Sequence, residues 1–190
     1  MKQDESGFSL IETIVAMGIL ATGLLGMAGV FTLGMAHMAT SSANLIAREK
    51  AREAVESVHT ARDTRTITWC QIYNVSATTI RTVPDCNGKP AGVFLDGPQA
   101  VKDPGPDGLV NTADDGAVSQ QVLPGPNGKF GDSDDLVVPL TDFTREIAIT
   151  HVMDGTTPNP NLKQIVVTIN YKVGKISRTY VLTTYVSAIS

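Results

Sequence analysis

The chain is poor in the residues from which most catalytic and metal chemistry is built. It has three histidines, His37, His59 and His151, and nothing in the sequence places them together. It has two cysteines, Cys70 and Cys86, with no histidine or second cysteine pair nearby, so a zinc framework is not expected. There is no Gly-x-Ser-x-Gly, phosphate loop or dinucleotide fingerprint, and the paired acids sit in flexible loops, so the chain reads as something other than an enzyme. A basic patch with interleaved aromatics is also missing, and the formal net charge is −4, which argues against nucleic acid as a partner. The most telling absence is local. From Thr13 to Ala36, 24 residues carry no charge at all.

That uncharged run is long enough to cross a bilayer, which takes about 20 apolar residues. One carboxylate, Glu12, stands at its edge. A charge at the centre of such a helix costs roughly 2.5–3.5 kcal/mol, so an acid there points to function. A secretory signal has a short apolar core followed by a small-residue cleavage site. Here no such site follows, and the small residue, Gly7, comes before the run. A cut after Gly7 removes a polar leader, leaves the apolar helix on the product and makes Phe8 the new N-terminus. Glu12 then lies one helical turn from the new amine.

Gly7-Phe8-Ser9-Leu10-Ile11-Glu12 followed by an apolar helix resembles the type IV prepilin motif. The resemblance implies cleavage after Gly7 by a prepilin peptidase, methylation of Phe8, and pairing of Glu12 with another subunit's N-terminus during assembly. It further implies a single-pass inner-membrane protein with a periplasmic head, drawn through an assembly platform into a filament of pilin or pseudopilin subunits. The leader departs from the usual positive balance, with Lys2 set against Asp4 and Glu5. Within the helix, Gly23, Gly26 and Gly29 recur at spacing three, which allows close helix approach and weakens the helix.

The pattern predicts a leader at 1–7, a transmembrane and polymerisation helix at 8–37, an amphipathic spine helix at 38–65 and a head at 66–190. If 8–61 is one helix it is roughly 80 Å long. The spine's larger apolar residues are Leu45, Ile46, Val55 and Val58, opposite a wet side of Arg48, Glu49, Lys50, Arg52, Glu53 and Glu56. Residues 67–75 read equally as a short strand or a short helix. In an oxidising compartment Cys70 and Cys86 are expected to pair, closing a loop worth about 3 kcal/mol; two buried free thiols are the alternative.

Residues 94–135 hold eight aspartates and two lysines, a balance of −6, so the remainder of the chain sums to +2. They contain a repeat. Pro104–Asp115 and Pro124–Asp135 are identical at six of twelve positions, at an offset of 20. Clustered carboxylates around a glycine turn suit a hard cation. With Asp103 as position one, Asp107, the Leu109 carbonyl, Asn111, Asp114 and Asp115 follow at roughly the spacing of a calcium loop. The second copy offers Asn127, the Lys129 carbonyl, Asp132, Asp134 and Asp135. The EF-hand pattern is met in neither, so the expectation is one or two calcium-stabilised turns of another type, the first copy the stronger; the alternative is a solvated acidic loop whose aspartates cap turns.

The C-terminal third alternates. Phe143–Met153 reads as a strand with Ile147, Ile149 and Val152 set against Thr144, Glu146 and His151. After a turn-rich connection from Asp154 to Asn161, Leu162–Val173 puts Ile165, Val167, Ile169 and Tyr171 on one face. Gly174-Lys175 turns into Ile176–Ala188, with Tyr180, Leu182 and Val186 on one face. The fold class is therefore α+β: a long N-terminal helix packed through its Leu45–Val58 stripe on a three-stranded antiparallel meander, with a loop-rich insertion at 96–135. The functional expectation is a minor pilin of the pilus-modification type or a minor pseudopilin of type II secretion. The alternative is a calcium-dependent adhesion or ligand-binding head carried on a pilin stalk.

Overall fold

The computed structural model describes residues 9–76 and 92–188. Helix α1 runs from Leu10 to Asp63. Two compact units divide the chain, residues 1–42 and 43–190. In the first, the side chains from Leu10 to Ala39 are exposed, among them Leu10, Leu25 and Phe31. Threonine hydroxyls in this stretch are satisfied by the helix's own carbonyls. The Thr22 hydroxyl donates to the carbonyls of Ile19 (2.9 Å) and Gly18 (3.2 Å), and the Thr32 hydroxyl to that of Ala28 (2.8 Å). An apolar medium demands that economy, because it supplies no partner of its own.

In the second unit, α1 packs on the sheet through small residues. Ala47, Ala51, Ala54, Val58 and Ala61 are its buried positions, spaced four, three, four and three apart as one face of a 3.6-residue helix requires. This corrects the expected Leu45–Val58 stripe: Leu45 is 67% exposed, and Ile46 and Val55 are only partly buried. The alanines fill the helix side of the core, and the larger core side chains come from the strands instead.

The sheet has four strands in the order β1-β4-β5-β6, all antiparallel: β1 (Gln99–Ala100), β4 (Phe143–Asp154), β5 (Thr157–Val173) and β6 (Ile176–Ser187). The meander is as expected, and β1 adds a short fourth strand. Strand β5 starts five residues earlier than the turn-rich reading of 154–161 allowed. Asp154 pairs directly with Thr157, so the connection is a two-residue hairpin with Gly155 at φ 62°. The extra length passes through Pro158 and Pro160, next to an irregularity in register between His151 and Met153. Cross-strand partners share a face, so Ile147 with Val167, Ile149 with Ile165, and Ile169 with Tyr180 line the helix side. Full burial of Ile147, Ile165 and Ile169 is worth about 1.5–3 kcal/mol each.

Between helix and sheet, residues 69–71 form one 3₁₀ turn, which resolves the strand-or-helix ambiguity. The insertion also contains a two-stranded ribbon that the sequence reading did not anticipate. Strand β2 (Gln120–Leu123) pairs with β3 (Leu136–Pro139), and the second acidic repeat closes it.

Candidate functional site

Glu12 lies in the first turn of α1, its backbone N–H donating to the Ser9 carbonyl at 3.0 Å, and its side chain is exposed. Gly7 and Phe8, the expected processing positions, lie outside the described residues.

The sequence repeat is also a conformational repeat. Asp107 Oδ1 accepts from the Leu109 N–H at 2.8 Å, and Asn127 Oδ1 from the Lys129 N–H at 2.7 Å. Asp115 Oδ2 accepts from the Asn111 N–H at 2.8 Å, and Asp135 Oδ2 from the Gly131 N–H at 2.7 Å. Asn111 and Gly131 both have positive φ, 66° and 93°. The repeated Gly105 and Gly125 are required by a close approach. A Cβ on Gly105 would lie 2.7 Å from the Asp114 backbone oxygen, and one on Gly125 would collide with the same atoms of Asp134. An identical register of turns, caps and contacts explains why prolines, glycines and the closing Asp-Asp recur.

The two copies differ in setting. In the first, Leu109, Val110 and Asn111 are fully buried, and Asn111 exchanges hydrogen bonds with Leu95: its carbonyl accepts from the Leu95 N–H at 2.7 Å, and its Nδ2 donates to the Leu95 carbonyl at 3.3 Å. The carboxylates of this copy are engaged by neighbouring donors. The Ser119 hydroxyl donates to Asp103 at 2.6 Å, and the Thr112 hydroxyl lies 2.8 Å from Asp114 Oδ1 and 3.0 Å from Asp115 Oδ1. In the second copy Asp132, Asp134 and Asp135 bring one carboxylate oxygen each within 4.8 Å of one another, the one such acidic trio among the described residues. Asn127 Nδ2 donates to Asp132 at 2.7 Å and to Asp134 at 3.0 Å. Hydrogen bonding with Asp134, and then with Asn127, holds the Asp132 carboxyl below the usual carboxylate range. In sequence the first copy starts with the better ligand at position one, Asp103 against Leu123. In space it is the second copy that gathers acids.

Two buried cations escaped the sequence reading. Lys163 is fully buried, and its ammonium donates to the carbonyls of Trp69 (2.6 Å) and Ile72 (3.1 Å) while lying over the rings of Tyr73 and Trp69. Burial lowers its pKa to about 7. It thus ties β5 to the 3₁₀ turn that carries Cys70. Cys70 is held in a disulfide, and Cys86, its expected partner, lies outside the described residues. Tyr73 Oη and His151 Nε2 are 2.7 Å apart, and burial pushes the Tyr73 phenol up to about 12. His151 therefore belongs to the inward face, a correction to its reading as an outward residue of the strand. Arg145, also fully buried, donates to the Lys102 carbonyl at 3.2 Å and has Nη1 3.6 Å from Glu53 Oε1 on α1. Glu53, with Lys50 bound to it at 2.6 Å, is therefore half-buried, a correction to the expectation that both lie on the wet side of the helix. Burial pulls the pKa of Arg145 down, and the charges of Glu53 and Asp115 push it back. The signal was present as parity: Arg145 alternates with Phe143 and Ile147, and Lys163 with Ile165, all inward.

These cations tie elements together, and their surroundings are carbonyls, rings and one carboxylate, which is a structural arrangement. The feature that relates the chain to known proteins is at the other end. The family model for the prokaryotic N-terminal methylation motif matches residues 2–28. No curated protein and no solved structure matches the chain. The matched segment includes Glu12 and the first two thirds of the uncharged run 13–36, in an exposed helix long and apolar enough to cross a membrane. The chain therefore carries the N-terminal motif that marks a type IV pilin-like protein.

Proposed function

We propose that this protein is a minor structural subunit of a pilus-like filament, either a type IV pilus or a type II secretion pseudopilus. The observation that carries the reading is the methylation motif at residues 2–28 in register with Glu12 and an uncharged run of helix. A prepilin peptidase cuts after Gly7 and methylates Phe8, the chain waits in the inner membrane with its head in the periplasm, and an assembly platform moves it into the fibre. The driving chemistry is neutralisation. An ionised Glu12 in an apolar bundle carries a penalty of several kcal/mol, and the ammonium of a neighbouring subunit's Phe8 removes it only in the assembled register. Cys70 and Cys86 form the head's disulfide, and one or two calcium ions stabilise the acidic loops, the second being the better gathered.

Substituting Glu12→Ala tests the assembly step directly. The expected result is normal accumulation in the membrane with loss from purified fibres. Entry into fibres at the wild-type level rejects the reading. A second reading, a calcium-dependent binding head on a pilin stalk, draws on the exposure of the second loop at the end of the β2–β3 ribbon.

A further inference from the structure

The β5–β6 turn gathers positive charge. Residues 172–178 carry Lys172, Lys175 and Arg178 and no acid. Lys172 pairs across the hairpin with Ser177, and Arg178 with Tyr171, so the two cations fall on opposite faces of the sheet. Lys175 sits between them in the turn, beside Gly174 at φ 61°. All three are exposed, as is Ile176. Asp142 shares a hollow with Lys172 and Ser177 and offsets one of the three charges. Within the second unit, this hairpin runs beside α1. Asn44 Nδ2 donates to Tyr171 Oη at 3.0 Å, Arg48 lies over the Tyr180 ring, and Arg62 donates to the Ser187 carbonyl at 3.0 Å. Strand β6 therefore ascends in the direction of the helix, and the turn lies beyond Tyr171, at the end where the chain enters this unit at Ala43. From Tyr171 to Gly174, three strand residues extend about 10 Å. Asn44 follows Ala36, the last residue of the uncharged run, by eight residues, or about 12 Å of helix. The reach of the turn is thus close to the length of chain between the head's first contact and the apolar run.

We propose that the β5–β6 turn of the membrane-held subunit docks on the anionic headgroups of the bilayer that its own apolar run spans. A tip charged on both faces suits a flat layer of lipid phosphates better than a one-sided pocket. Each lysine or arginine near such a surface favours association by a factor of about five, and the exposed Ile176 gains apolar surroundings among the lipid. The anchor makes the contact intramolecular, so three modest charges suffice to populate it. Salt weakens it, because the attraction falls off within a Debye length of about 10 Å at 0.1 M. Docking holds the head down before assembly and is given up when the subunit enters the fibre. The inference rests on the reading of this chain as a membrane-held, pilin-like subunit, and it describes the waiting state of that reading.

The test reconstitutes the full-length protein in phosphatidylcholine vesicles with and without phosphatidylglycerol, each carrying a quencher on a lipid headgroup. A fluorescent amino acid stands at position 177 and, in a second sample, at position 156 in the β4–β5 turn at the other end of the sheet. Quenching at 177 should rise with phosphatidylglycerol and fall as salt rises, while 156 stays unquenched. Lys172→Gln, Lys175→Gln and Arg178→Gln together should lower the docked-to-undocked ratio at least about tenfold, and Lys175→Arg should leave it unchanged. Quenching indifferent to phosphatidylglycerol, to salt or to the triple substitution overturns the proposal, as does equal quenching at 156. Inorganic phosphate should compete no better than chloride at equal ionic strength; specific displacement by phosphate assigns the turn to a soluble anion and overturns the lipid surface. Alkaline extraction separates the premises. Protein that stays in the vesicles with 177 unquenched removes the docking and leaves the filament reading standing. Protein that washes out removes the membrane-held state on which both rest.

Discussion

Lys163 and Arg145 are the residues on which the head's interior turns, and each gives a distinct expectation. Lys163 has a folded pKa of about 7 against 10.5 unfolded. Between those values the unfolded chain binds the proton and the folded chain does not, so stability rises with pH across that window. Tyr73 acts in the reverse sense. Its folded pKa of about 12 lies above the ordinary 10, so the unfolded phenol ionises first and stability falls above pH 10. Thermal melts of the full chain in detergent should climb from pH 7 towards pH 10 and then decline. The climbing limb should vanish in Lys163→Met, and a flat wild-type profile would contradict this. For Arg145, the informative change is on the other element. Glu53→Ala leaves a buried guanidinium without its carboxylate and should cost about 3 kcal/mol, whereas converting both residues to methionine should restore most of it. Chemical denaturation of the two variants separates these outcomes. Inward parity along β4 and β5 marked both positions in the sequence. What parity did not supply was the partner, because Glu53 lies 92 positions from Arg145 along the chain.

At the scale of elements, the helix–sheet contact shows why large apolar residues are a poor guide to a packing face. Ala51 is fully buried and Leu45 is exposed. Ala51→Leu should therefore destabilise the head by about 1–3 kcal/mol through overpacking, while Leu45→Ser should change it by less than about 0.5 kcal/mol. Equal effects in a denaturation series would mean that the helix packs by another face. The strands were legible because alternation is a local signal. The β2–β3 ribbon was not, because four-residue strands separated by twelve residues carry too short a pattern to count. The acidic loops belong to this scale too. Their repeat was legible to the residue, but which copy gathers its acids depended on where Ser119 and Thr112 fall in space. If calcium binds the second loop, EDTA should lower the melting temperature of the full chain and added calcium should restore it. Asp134→Asn should abolish that response and Asp114→Asn should leave it. Calcium held at 100 times its Kd would add about 2.7 kcal/mol, and no response in wild type would end the expectation.

For the molecule as a whole, assembly is the property that matters, and the Glu12→Ala fibre assay is its first test. The sequence by itself determined the N-terminal half of this account. A glycine ahead of the apolar run, an acid five residues beyond that glycine and an uncharged helical run are all read from contiguous residues, and helix and membrane propensity depend on composition along the chain. The same holds for the α+β class and for the three long strands. Tertiary structure decided the rest. It chose the alanine stripe over the leucine, put Lys163 beneath Trp69 and Tyr73, and buried Val110 while exposing Phe130. Those outcomes turn on which distant segments exclude water from one another, a property of proximity in space that no local pattern encodes.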